Sequence, residues 1–119
     1  MNIESLKLLS FYPALVKFIA DVNKLIADDW KSAGFTHNSP PEIEVGSVGG
    51  RYAKLVRAEQ SPPHTGPRSR RGLYCFVDLQ DGSLLKGSWK APVKNGIRGN
   101  LSDPNVLNNF DQYGPKYLR

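Results

Sequence analysis

The sequence predicts an α+β fold in which an antiparallel three- to four-stranded sheet packs against a long N-terminal helix. Three observations predict it. Apolar residues recur at helical spacing through residues 13–33. From residue 42 onward the apolar pattern shortens to strand-length runs punctuated by Gly, Pro and Asp-Gly. Finally, 119 residues with 11 Gly and 9 Pro suit one turn-rich domain. Its parts are a helical segment (1–35), a basic β-rich segment (42–100) and an irregular C-terminal tail (101–119).

The helical stripe consists of Leu15, Phe18, Ile19, Val22, Leu25, Ile26 and Trp30. Lys17, Asp21, Lys24, Asp28 and Lys31 fall on the other side, with opposite charges four apart. Pro13 suits the first helical position, Ser10 is the expected cap, and Gly34 is the expected left-handed stop. Residues 2–10 are expected to form a shorter helix with Leu6 and Leu9 inward. The stripe reads as core, because packing of such a face supplies most helical stability.

Two prolines make residues 36–41 a loop. Glu42 to Val48 alternates, with Ile43 and Val45 on one side, and reads as a short edge strand. Gly49-Gly50 is the expected turn into a strand over 51–59. There Arg51, Ala53, Leu55 and Arg57 share one face, and Tyr52, Lys54, Val56 and Ala58 the other. Residues 60–72 hold three prolines and Arg68, Arg70 and Arg71, and read as one long loop. Leu73 to Leu79 is apolar on both faces and is expected to be central. Asp81-Gly82 signals a two-residue hairpin leading to a strand over Ser83 to Trp89. Lys90 to Asn100 reads as a turn-rich basic stretch. In the tail, a short helix is expected near 104–110.

Composition narrows the chemistry. Cys75 is the only cysteine, so no intramolecular disulfide can form and no zinc site built from four cysteines is available. Within an apolar run it reads as a small buried hydrophobe. His37 and His64 stand in separate loops without ligand spacing, and no metal or cofactor is expected. No nucleophile elbow or phosphate-binding loop occurs. Neither a signal peptide nor a membrane span of ~20 apolar residues is visible, which leads to the expectation of a cytoplasmic protein with no membrane partner.

Charge is the informative feature. Residues 1–50 carry 4 basic and 6 acidic side chains, whereas residues 51–99 carry 10 basic and 3 acidic. Lys86, Trp89, Lys90, Lys94 and Arg98 fall within 13 residues. With Arg51, Lys54, Arg57, Arg68, Arg70 and Arg71 they form the candidate nucleic-acid-binding set. Cations neutralise phosphates, and an exposed Trp89, Tyr74 or Tyr52 would stack on unpaired bases. The same cations would also suit an acidic protein partner, or form a merely solvated face.

Tyr74-Cys75-Phe76-Val77-Asp78, Asp81-Gly82, Lys86, Ser88-Trp89-Lys90-Ala91-Pro92, Lys94, Arg98-Gly99-Asn100, Tyr113-Gly114-Pro115 and Tyr117-Leu118-Arg119 together resemble a group of short uncharacterised phage and virus-associated proteins. The resemblance covers about residues 51–119. It implies a viral context, hence an infected microbial cytoplasm or a virion, and carries no catalytic assignment.

The leading expectation is therefore a small non-enzymatic phage accessory protein that binds nucleic acid, DNA or RNA, with single strands favoured. The first alternative is a protein-binding module, either an inhibitor of a host factor or a minor virion component. The second is a metal-dependent nuclease using Glu59, Asp78, Asp81 and Lys86. An exposed strand over 42–48 also leaves pairing into a homo-oligomer open.

Overall fold

A computed structural model describes residues 3–34, 40–59, 69–111 and 114–115, with the backbone alone for residues 3, 69–71, 94 and 95. A four-residue helix α1 (Ile3–Leu6) precedes the 21-residue α2 (Tyr12–Ser32). Five strands follow: β1 (Glu42–Val48), β2 (Tyr52–Glu59), β3 (Ser69–Asp78), β4 (Ser83–Gly87) and β5 (Pro92–Asn100). They form one antiparallel meander in the order β1-β2-β3-β4-β5. A 3₁₀ turn (Val106–Asn109) and a two-stranded ribbon, β6 (Phe110–Asp111) with β7 (Gly114–Pro115), complete the chain.

The α+β class and the central place of the 73–79 segment agree with the sequence reading, but the sheet has five strands, one more than the upper expectation. The additional strand is β5, in the segment read as turn-rich. Its glycines serve close approach. A Cβ on Gly99 would lie 2.6 Å from Val106 Cγ2, and one on Gly96 2.8 Å from the Lys86 carbonyl oxygen. Bulges opposite Leu84–Gly87 interrupt its alternation further.

α2 buries Leu15, Phe18, Val22 and Ile26 against Ile43, Ala53, Leu55, Cys75, Val77 and Leu84 of the sheet. Truncating Leu15, Phe18 or Ile26 to Ala would cost about 2–5 kcal/mol. Phe18 also meets Phe110 edge-on, centroids 5.1 Å apart. Asn23 completes the docking. Its Nδ2 donates to the Ile43 carbonyl (3.2 Å) and its Oδ1 accepts from the Ile43 N–H (2.6 Å). A helix side chain thus occupies both backbone groups of one residue on the edge strand β1.

Three local expectations change. The helix has no Ser10 cap; Phe11 stands at that place without a side-chain bond. The Tyr12 N–H is already satisfied by the Leu9 carbonyl (3.0 Å), and Pro13 has no N–H to satisfy. The β3–β4 connection is Leu79–Gly82, four residues, because Leu79 turns into the core. Asp78 Oδ1 takes the Gln80 N–H and Asp81 Oδ1 the Ser83 N–H, while Gly82 adopts φ 78°. The strand before it begins at Ser69, so Arg70 and Arg71 lie on β3 and not in a loop. Gly34 stops the helix with φ 84°, as its position predicts.

Candidate nucleic-acid interface

The sheet face turned away from α2 carries the site. Lys54 pairs across β2–β3 with Phe76, and Phe76 across β3–β4 with Leu85. Cross-strand partners point to one side, and neither Phe76 nor Leu85 belongs to the cluster under the helix. Phe76 is nonetheless buried. The β4–β5 turn folds over it: a Cβ on Gly87 would lie 2.6 Å from the Ala91 carbonyl oxygen and 2.8 Å from the Phe76 ring.

That fold-over carries Trp89 across β3 to β2. Lys54 Nζ stands 4.2 Å from the Trp89 ring centroid, while the indole remains 50% exposed. One ring face therefore meets an ammonium and the residue keeps a large surface for solvent. Beside this pair lies a groove of about 390 Å³, bordered by Ser47, Arg51, Tyr52, Lys54, Phe76 and Lys90. Tyr52 packs edge-on against Phe76 at 6.4 Å.

Arg51 is positioned by a carboxylate. Its Nε (3.3 Å) and Nη2 (3.1 Å) both donate to Asp78 Oδ2, and its Cζ lies 5.3 Å from the Tyr52 centroid. The Asp78 side chain is 6% exposed, that of Arg51 55%. A buried anion thus anchors one edge of an exposed guanidinium, and the hydrogen bond to Asp78 holds the Arg51 pKa above its ordinary value.

The remaining predicted residues divide. Arg57 is turned to Glu59 (Nε–Oε1 3.0 Å) and pairs with the core residue Ile43, so it lies on the helix side of the sheet. By alternation Lys86 shares the side of Leu84, away from the groove. Arg98 stands on the outer strand β5; its Nη1 donates to the Ile97 carbonyl (3.2 Å) and its Nε is buried without a partner. Arg68 lies outside the described residues, as do the side chains of Arg70, Arg71 and Lys94. Of the aromatic candidates, Tyr52 borders the groove, whereas Tyr74 is buried in the core with its Oη donating to the Asp111 carbonyl and offers no stacking face. Sequence reasoning missed Phe76 as a groove residue; its signal was the cross-strand match with Lys54 once β2 and β3 are paired.

The carboxylates considered for metal chemistry are engaged elsewhere. Asp78 holds Arg51 and the Gln80 N–H, Asp81 holds Ser83, and Glu59 holds Arg57. Hydrogen bonds from Ser83 keep the Asp81 carboxyl below its usual range. Among the described residues no group of three or more His, Cys, Asp or Glu is placed to hold a metal ion. His37 and His64 lie outside them. Cys75 is fully buried and its desolvated thiol is pushed up in pKa, which removes thiolate character. Among the described residues no helix is long and apolar enough to cross a membrane.

A model for a family of unknown function (DUF7717) matches residues 12–117, and the chain belongs to that family. The match takes in α2, which the resemblance over residues 51–119 left out. No curated protein and no solved structure matches the chain.

Proposed function

We propose that this member of a family of unknown function binds nucleic acid through the groove on the open sheet face, with unpaired strands favoured over duplex. The observation that carries the reading is the half-exposed Trp89 indole held against Lys54, at the edge of a groove that also presents Arg51, Tyr52 and Lys90. An unpaired base offers a π face to the indole, whereas a duplex keeps its base faces stacked inside. The phosphate on either side of such a base would meet the Lys54 or Lys90 ammonium. Arg51, already neutralised by Asp78, contributes directed N–H donors more than net charge. No step of this reading requires a metal or a catalytic group.

The resemblance to phage and virus-associated proteins supports an accessory role in an infected microbial cytoplasm or in a virion. Such a role needs sequence-tolerant affinity, which stacking and phosphate neutralisation supply.

Titration of a labelled oligothymidylate at two salt concentrations tests the proposal. Two lysines engaged with phosphates predict a fall of log K with log salt of slope about −1.4, from about −0.7 per phosphate on single strands. Absence of binding at low salt, or binding indifferent to salt, overturns it. Protein that keeps a partner protein after nuclease treatment, and binds no oligonucleotide, would point to the protein-binding alternative.

A further inference from the structure

We infer that Arg51 reads guanine, so that a bound single strand is held most tightly where a guanine lies against this side of the groove. The inference rests on the nucleic-acid reading above and adds to it a base preference and the residue that confers it. A guanidinium is planar and carries five N–H donors in fixed directions. Asp78 Oδ2 accepts from Arg51 Nε (3.3 Å) and Nη2 (3.1 Å), which together form one edge of that plane. The Nη1–Nη2 edge, with two parallel N–H bonds, therefore faces away from Asp78. The Arg51 side chain is 55% exposed and borders the groove beside Tyr52. Asp78 pairs with Tyr52 across β2–β3, so the carboxylate that holds the guanidinium lies on the groove face.

Two parallel donors match two adjacent acceptors, which guanine offers at O6 and N7. Adenine sets its amino donor beside N7, and thymine sets a methyl group beside O4. Cytosine has an acceptor pair on its pairing edge, but one member adjoins the sugar, which crowds a planar fork. An unpaired strand leaves such base edges open to a side chain. A phosphate also offers two acceptors. Here the buried Asp78 carboxylate behind the guanidinium repels a second anion, whereas a neutral base edge meets no such repulsion. Lys54 and Lys90 remain in the groove for phosphates, so the base preference adds to a sequence-tolerant grip. The fork is also held in place. Asp78 accepts the Gln80 N–H (2.9 Å), and the Arg51 Cζ stands over the Tyr52 ring, 5.3 Å from its centroid. Donors fixed from two sides lose little freedom on meeting a base. The groove volume of about 390 Å³ lies in the range of small-ligand pockets and has room for a purine.

Titration of the wild-type chain with octamers of thymidine alone, and of thymidine alternating with guanine, 7-deazaguanine or cytosine, tests the preference. 7-Deazaguanine keeps the bicyclic ring and lacks the N7 acceptor. The guanine octamer is expected to bind roughly tenfold tighter than octathymidylate. The 7-deazaguanine and cytosine octamers should lose most of that gain. Arg51→Lys keeps a positive charge and cannot form the fork, so the ratio of guanine-octamer to octathymidylate affinity should fall to about one. Equal wild-type affinities for the guanine and thymine octamers would overturn the guanine assignment and leave the groove reading standing. A gain that 7-deazaguanine or cytosine retains would do the same. A loss in Arg51→Lys that is equal for every octamer would make Arg51 a phosphate contact and overturn the assignment as well. No binding of any octamer would overturn both readings.

Discussion

Lys54 and Trp89 touch across an intervening strand: the ammonium on β2 lies 4.2 Å from the centroid of an indole on the β4–β5 turn, with β3 between them. The contact holds one face of the ring against the ammonium of a groove residue. A ring held in this way loses less freedom when a base stacks on it than a ring that rotates in solvent. Trp89→Ala is therefore expected to weaken oligothymidylate binding by about 1–3 kcal/mol. Lys54→Met, which keeps the stem and removes the charge, should flatten the salt dependence while lowering affinity less. Indole fluorescence in a Trp30→Phe background reports the Trp89 contact alone.

Asp78 should behave as a structural anchor. Its carboxylate is buried and accepts from both Arg51 and the Gln80 backbone. Asp78→Ala leaves the Gln80 N–H without its acceptor and releases the guanidinium, and is expected to cost about 1–3 kcal/mol of stability. Urea midpoints measure that loss. The same variant discriminates against a nuclease, for which Asp78→Ala would abolish divalent-metal-dependent cleavage by the wild type. The expectation here is no such cleavage in either protein.

Stability should fall in alkali. Burial raises the pKa of both Cys75 and Tyr74, and Tyr74 Oη also donates to the Asp111 carbonyl at 2.7 Å. A folded-state pKa above the unfolded one gives a contribution that is complete below the unfolded pKa. It declines as pH rises beyond that value, because the unfolded chain then releases the proton and the folded chain does not. The decline should begin near pH 9 through Cys75 and steepen above pH 10 through Tyr74. Urea midpoints at pH 7, 9 and 10.5 check the sign. Cys75→Ala should remove the earlier part of the slope, and Tyr74→Phe the later part at a cost near 1 kcal/mol at neutral pH for its hydrogen bond.

Periodicity made α2 legible because a helix that buries Leu15, Phe18, Val22 and Ile26 must repeat them at that spacing. β3 was legible for a related reason, since a strand covered on both sides is apolar throughout. β5 was not, because its residues were chosen for backbone proximity: Gly96 and Gly99 admit neighbouring atoms and leave no side-chain pattern to read. Charge density singled out residues 51–99 without resolving which of their side chains share a face. Arg57 lies beside Glu59 and Arg51 beside Asp78, pairings that depend on strand register and a turn. The meeting of Lys54 and Trp89 is long-range and had no local signature.

Gly87 is the position where backbone and binding surface are most tightly joined. It ends β4, and a methyl there would lie 2.6 Å from the Ala91 carbonyl oxygen, 2.7 Å from Pro92 Cα and 2.8 Å from the Phe76 ring. Two of these neighbours are backbone atoms of the returning strand, so they yield only if that strand moves. Gly87→Ala is expected to destabilise the chain by about 1–3 kcal/mol through overpacking. It should also lift Trp89 away from Lys54, so that oligothymidylate affinity falls even where the protein is fully folded. The comparison is with Gly72→Ala in β3, outside the groove, where an added methyl meets nothing within 4 Å. That variant should leave both the urea midpoint and the binding curve close to wild type. Equal affinity in Gly87→Ala and wild type, at a temperature where both are folded, would show that the indole binds without the strand crossing that places it.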